Sequence, residues 1–162
     1  MSVLVVAEKP SVARDIAQVL GARSRGEGYF HGGAWVVTWA IGHLVALAEP
    51  HQMNAAWKKW RLDDLPILPE RWPLVPGEKT RDQYDVVRRF LLDPAVRGVV
   101  CATDAGREGE LIFRYVYEAA RSNKPVKRLW ISSLTAEAIA QGFKSLAPGA
   151  DFDRLADAAR AR

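Results

Sequence analysis

Cysteine is almost missing from this sequence: Cys101 stands alone among 162 residues. One thiol excludes a disulfide framework and a cysteine-based zinc site. No apolar run approaches the roughly 20 residues that a bilayer span needs. The apolar start at residues 3–7 is too short for a signal peptide. There is no polybasic tail either, and internal repeats are absent. Residues 1–50 carry balanced charge, and the basic surplus divides evenly between 51–100 and 101–162. A phosphate-binding surface must therefore be assembled in the fold from scattered Lys and Arg. The expected setting is the cytosol, with no membrane partner.

What is present suits one globular domain. A hydrophobic fraction of 49% beside a charged fraction of 26% excludes wholesale disorder. At this length about 70% of the unfolded surface is buried on folding. The net charge of +4 and the isoelectric point near 9.4 permit a nucleic-acid partner without demanding one.

Residues 2–7 read as a strand with Glu8 at its carboxyl end. Pro10 suits the first turn of a helix, where its missing N–H costs nothing. Val12, Ile16, Val19 and Leu20 then repeat at helical spacing, and Gly21 supplies the stop. Gly32-Gly33 signals a hairpin ahead of a strand at 35–41. Residues 50–79 hold five of the nine prolines and three of the six tryptophans, so regular structure cannot run far there. Thr80 with Gln83 has the capping-box pattern, before a helix with Tyr84, Val87 and Leu91 on its apolar face. Residues 98–103 and 126–131 read as further buried strands, with a helix bearing Leu111, Ile112, Tyr115 and Val116 between them. Thr135 precedes a last full helix with Ala138, Ile139 and Phe143.

Strands alternating with helices predict an α/β fold. The expected core is a parallel sheet of about four strands flanked by helices, with an antiparallel hairpin near residues 28–47. The domain is expected over residues 1–147, with 50–79 as an irregular segment inside it. Residues 148–162 are expected to begin a helix that leads to a next domain, as in a piece of a longer protein.

In an open parallel sheet, ligands bind outside the carboxyl ends of the strands. Glu8 and Asp104 fall at two such ends, and Glu108 and Glu110 open the following helix. Carboxylates crowded together repel unless a proton or a cation sits between them. Oxygen ligands on a turn suit Mg²⁺, which keeps several waters and binds through one or two carboxylates. The same residues also fit a plain helix start, where Asp caps and acidic first turns are favoured.

Two runs go further. Glu8-Lys9-Pro10-Ser11-Val12-Ala13 and Ala102-Thr103-Asp104-Ala105-Gly106-Arg107-Glu108-Gly109-Glu110 resemble the Toprim module of type IA DNA topoisomerases. Three more motifs resemble the bacterial topoisomerase III branch, in the same order. They are Trp39-Ala40-Ile41-Gly42-His43-Leu44, Trp60-Arg61-Leu62-Asp63-Asp64-Leu65-Pro66 and Arg128-Leu129-Trp130-Ile131-Ser132-Ser133-Leu134-Thr135.

The resemblance implies a Toprim, Rossmann-like fold and an Mg²⁺-dependent isomerase that cleaves and religates single-stranded DNA without ATP. Glu8 is implied to protonate the leaving 3′ oxygen and help hold the metal, and Lys9 to stabilise charge on the scissile phosphate. Asp104 and Glu108 match the first and last acids of the family's Asp-x-Asp-x-Glu pattern, both metal ligands. Gly106 stands where the second aspartate belongs, which removes one ligand. DNA contact is implied at Trp60, with Arg61 and Arg107 as the neighbouring cations. The implied partners are single-stranded DNA and the remaining domains of the same topoisomerase, in the bacterial cytoplasm at the nucleoid.

The nucleophile is not here. Tyr29, Tyr84, Tyr115 and Tyr117 all lack the family's Tyr-x-Arg-Thr context. A 5′-phosphotyrosine would have to form on a later domain. Two rival readings stand beside this one: a stand-alone metal- and DNA-binding module without catalysis, or another Toprim enzyme such as a primase or nuclease. The Trp60 and Arg128 motifs argue against the second.

Weaker signals remain. Trp57-Lys58-Lys59-Trp60-Arg61 interleaves rings and cations as single-strand binders do, although tryptophans also pin irregular segments to a core. His43 suits either a phosphate contact or a structural hydrogen bond. Pro76-Gly77-Glu78-Lys79-Thr80 lacks the Gly-Lys pair of a P-loop. Gly26, Gly28 and Gly32 do not keep dinucleotide spacing. Cys101, inside an apolar strand, is expected to be inert.

Overall fold

The first strand, β1 (Ser2–Ala7), runs through the middle of the molecule, and its composition explains why. Leu4, Val5, Val6 and Ala7 are essentially unexposed, so both faces of the strand must be covered. The computed structural model describes residues 1–59 and 61–161. After β1 comes α1 (Pro10–Leu20), with Pro10 in its first turn and Gly21 closing it in the left-handed region at φ 75°. The chain then forms β2 (Ser24–Gly26), β3 (Tyr29–Gly32), β4 (Trp35–Trp39) and β5 (Val45–Leu47).

Among its described residues, the proline-rich stretch holds only α2 (Pro50–Met53), three 3₁₀ turns and β6 (Leu74–Pro76), which pairs with β5. The second half runs α3 (Arg81–Leu92), β7 (Val96–Ala102), α4 (Arg107–Ala119), β8 (Val126–Arg128), α5 (Ala136–Lys144), β9 (Ala147–Pro148) and α6 (Asp153–Arg160).

The main sheet has the order β2-β3-β4-β1-β7-β8-β9. Its centre, β4-β1-β7-β8, is four parallel strands, as the alternation of strands and helices predicts. β2, β3 and β9 join antiparallel at the edges. The expected hairpin is β3–β4, yet its second strand belongs to the parallel core rather than standing apart from it.

Alternation along β1 divides the core. Leu4 and Val6 face Val87 and Leu91 of α3 and Ile112 and Val116 of α4. Val5 and Ala7 face Ile16 of α1 and Ile139 of α5 on the other side. Each such Val, Leu or Ile side chain contributes about 1.5–3 kcal/mol by leaving water. Among the described residues, no helix is long and apolar enough to cross a membrane.

Two expectations about local structure change. Thr80 does precede α3, but its side chain makes no cap bond to the helix. Gln83 instead turns inward and donates to Gly28 O at 3.1 Å, Thr38 Oγ1 at 3.1 Å and Trp39 O at 2.8 Å. These acceptors sit beside buried Thr38, where an unpaired polar group costs more than an exposed cap contributes. The strand expected at 126–131 ends at Arg128, because its partner β7 ends one residue past the matching position, Cys101. Residues from 147 onward also pack on the domain itself: β9 pairs with β8, and α6 buries Ala156 and Ala159 while Arg160 pairs with Glu118 of α4.

Cys101 lies inside β7 with 1% exposure, and burial pushes its thiol up to about 11. The protonated form is favoured in the folded state, so this group's contribution is complete below pH 9. It is lost as pH rises toward 11. Iodoacetamide at pH 8 should therefore leave the folded protein unmodified and alkylate it fully in denaturant; labelling without denaturant would count against this packing.

Candidate active site

The register of two neighbouring parallel strands builds the site. Ala7 of β1 pairs with Ala102 of β7, so the residues that follow each strand leave the sheet side by side. Glu8 and Asp104 meet there: the Asp104 N–H donates to Glu8 Oε2 at 3.1 Å. Glu8 is largely buried, whereas Asp104 is exposed.

Lys9 precedes α1 in an extended conformation, φ −130°. Its ammonium lies 3.9 Å from Glu8 Oε1 and 3.7 Å from Asp104 Oδ2. Lys9 and Asp104 side chains are both more than half exposed, so these pairs add little to stability. Their significance is positional: one cation stands beside two carboxylates at the carboxyl ends of two central strands.

The turn after β7 is held from below. Thr103 Oγ1 donates to Gly109 O at 2.7 Å, which draws the first turn of α4 against the strand end. The contact is so close that a Cβ on Gly109 would lie 2.2 Å from the Asp104 carbonyl oxygen. Glu108 and Glu110, two residues apart on α4, then go separate ways. Glu110 is 2% exposed and pairs with Arg114 Nε at 2.8 Å and Arg128 Nε at 3.1 Å. Glu108 points outward, with Oε1 2.5 Å from His43 Nε2.

The expected residues are thus only partly gathered. Glu8, Lys9 and Asp104 meet; Glu108 is engaged by His43, which acts here as its hydrogen-bond partner. Among the described residues, no group of three or more His, Cys, Asp or Glu side chains is arranged to hold a metal ion. Arg107 is exposed at the start of α4, on the same turn as Asp104. Arg61 is exposed and lies 3.8 Å from Asp63. Trp60 lies outside the described residues. The tyrosines serve packing: Tyr84 and Tyr115 are buried, burial pushes the Tyr84 phenol up, and Tyr117 donates to Lys124 O at 2.6 Å.

The donor set fits a hard divalent cation of the kind that retains waters. Glu8 and Asp104 offer two carboxylates, and Mg²⁺ is commonly bound through one or two. Gly106 has room for a third: its φ of 172° is extended backbone, and a Cβ there would meet nothing within 4 Å. Gly106→Asp should therefore tighten Mn²⁺ binding about tenfold, or about 1.4 kcal/mol, and Asp104→Asn should weaken it. Calorimetry with Mn²⁺ in which neither variant differs from the parent would remove the metal from this site.

Strand order reverses at β1: the chain first builds outward to β4 and later returns to place β7 on the opposite side. A crevice at such a reversal, outside the carboxyl ends, is where α/β sheets bind ligands. This is an α/β domain in which two carboxylates and one ammonium, from Glu8, Asp104 and Lys9, gather at such a reversal. Residues 3–134 match the Toprim domain, and the chain belongs to that family.

DNA topoisomerase 3 of Bacillus anthracis is 52% identical over 159 residues, which is 98% of this chain and 22% of that protein. DNA topoisomerase 3 of Staphylococcus haemolyticus is 49% identical over 162 residues, 100% of this chain and 23% of that protein. The chain thus spans about a fifth of the length of these curated relatives. The crystal structure of full-length topoisomerase I from Thermotoga maritima shares the fold, with a TM-score of 0.58 at 15% identity over 90% of this chain and 21% of that one.

Gly109, Gln83 and Arg128 are the supports that reading the sequence missed as such. Gly109 carried a signal, since glycine inside a helical pattern often marks a close backbone approach. Gln83 and Arg128 carried none, because the partners that decide their roles lie 24 to 55 residues away.

Proposed function

We propose that this chain is the Toprim catalytic module of a bacterial DNA topoisomerase III of type IA, cleaving and religating single-stranded DNA in the cytoplasm at the nucleoid. The convergence of Glu8, Lys9 and Asp104 at the carboxyl ends of two central strands carries the proposal. We take the domain to bind a divalent metal, Mg²⁺, held by Glu8 and Asp104 with Glu108 as a further acid nearby. When bound, the cation supplies positive charge that positions DNA phosphate.

The chemistry assigns each residue a task. A tyrosine from another domain of the same polypeptide gives its phenolic proton to water as its oxygen bonds to phosphorus, and the bond from phosphorus to the 3′ oxygen breaks. The departing oxygen takes a proton from Glu8. Asp104 N–H occupies Oε2, which leaves Oε1 as the atom to carry that proton. Lys9 offsets the charge that the phosphate gains. Religation reverses the steps, and the 5′-phosphotyrosine conserves the phosphodiester energy, so ATP is not needed. Arg107 beside the acidic turn, together with Trp60 and Arg61, would contact the strand.

The test is covalent-complex formation on a labelled single-stranded oligonucleotide. A whole polypeptide containing this chain should form a protein–DNA adduct through a tyrosine outside it, and this chain alone should form none. An adduct on Tyr29, Tyr84, Tyr115 or Tyr117 would place the nucleophile within this chain and refute the assignment.

A further inference from the structure

We propose that Arg128 is a positioning residue: its buried guanidinium fixes the main chain that carries Asp104, and so sets where that carboxylate stands against Glu8 and Lys9. The proposal rests on the functional reading above.

The need for such a group follows from where β7 ends. Its ladder stops at Ala102, yet Thr103 is only 4% exposed, so carbonyls beyond the strand lose sheet partners while still shielded from water. Buried carbonyls without partners are costly. Arg128, at 1% exposure on the neighbouring β8, supplies the partners. Nη1 donates to Thr103 O at 2.8 Å, Leu129 O at 2.8 Å and Cys101 O at 3.1 Å. Nη2 donates to Asp104 O at 2.8 Å.

Asp104 is therefore tied at both of its main-chain groups. Its N–H goes to Glu8 and its C=O to Arg128, while Gly109 packs against the same carbonyl. Only the side-chain torsions remain free. An arginine present merely to neutralise Glu110 would aim its N–H groups at that carboxylate. Here Nε lies 3.1 Å from Glu110 Oε2, but neither atom has an aligned hydrogen bond. The well-directed bonds all go to carbonyls, two of them in the acidic turn.

The fork is itself held. The Trp130 and Phe152 rings lie 5.1 and 5.9 Å from the guanidinium carbon. Glu110 is anchored by Arg114, which reaches on to Asp153 at 2.8 Å and to Gly149 O at 2.9 Å. The residues after β9 thus brace the turn. Lysine cannot replace this planar, several-pronged donor, although it keeps the charge.

Arg128→Lys and Arg128→Met should be compared with the parent by amide exchange, Mn²⁺ titration and oligonucleotide cleavage in the whole polypeptide. In Arg128→Lys the Asp104 amide should exchange about tenfold faster or more, while Val5 and Val6 stay slow. Mn²⁺ affinity should fall about tenfold, as when other supports of a metal site are lost. Cleavage should slow about 100-fold, the scale of a small misplacement of reacting groups, at unchanged oligonucleotide affinity.

Unchanged exchange at Asp104, or an equal rise across β1, would overturn the proposal. Should neither variant fold, the parent protein decides. Slowly exchanging, separately resolved Nη protons on Arg128 support the fork, and a freely rotating guanidinium overturns it. Absence of cleavage by the parent polypeptide would overturn the functional reading instead, with exchange and Mn²⁺ binding still judging Arg128.

Discussion

Replacing Gly109 with alanine is expected to lower the melting temperature by about 4–8 °C and to push the acidic turn away from Glu8. The added methyl would sit 2.2 Å from Asp104 O and 2.8 Å from Asp104 N, both main-chain atoms that cannot rotate aside. Forcing one methyl into such a contact costs about 3 kcal/mol, and each kcal/mol shifts the midpoint by about 2–4 °C at this size. Helix propensity works the other way, since alanine is favoured over glycine by about 1 kcal/mol inside a helix. The steric term is the larger one, so the sign is set by the contact. Calorimetry of the single variant checks it. A rise in melting temperature would mean that α4 does not approach the turn this closely.

Glu8→Gln is expected to reduce strand cleavage in the whole polypeptide by about 100-fold to 10,000-fold, the usual range for a lost general acid. Glutamine keeps the shape, and its side-chain oxygen still accepts the Asp104 N–H. What it lacks is a proton acidic enough to pass to the departing 3′ oxygen. Affinity for a single-stranded oligonucleotide should change little, because the Glu8 side chain is only 12% exposed and Lys9 remains in place. Measuring both quantities separates the roles: a fall in affinity with undiminished cleavage would make Glu8 a binding group and not the acid.

Much of this architecture was legible from residue order, and the reasons are local. Pro10 and Gly21 mark the ends of α1 because each has a backbone requirement that the helix terminus meets. Three of the parallel strands, β1, β4 and β7, announce themselves as largely apolar runs, since strands covered on both faces admit few polar residues. The adjacency of Glu8 and Asp104 was legible as well, but only once both were placed at carboxyl ends in one sheet.

What was not legible depended on distant partners. The Thr80 and Gln83 pattern is a sound cap by spacing, yet Thr38, 45 residues from Gln83, competes for the amide and wins through burial. Glu108 and Glu110 look alike in sequence. Helical rotation sends one toward His43 and the other toward Arg128, and spacing alone does not say which face is inner. Arg128 read as one residue of a motif. Its role depends on β8 lying beside β7, so that its side chain meets carbonyls from the turn across the sheet.

The central position of β1 also has a consequence for the newborn chain. The most shielded strand of the domain leaves the ribosome before both of its neighbours, and one of them, β7, is encoded far downstream. At synthesis rates of about 5–20 residues per second, β4 arrives within seconds and covers one edge. The other edge, from Val3 to Ala7, then waits for residues 98–102 with its N–H and C=O groups unpaired. During that interval it is an open template for another strand, and slow translation through the proline-rich stretch would prolong it. Yield in the cell should thus respond to codon choice and chaperone supply across residues 50–95, even where the finished fold is unchanged.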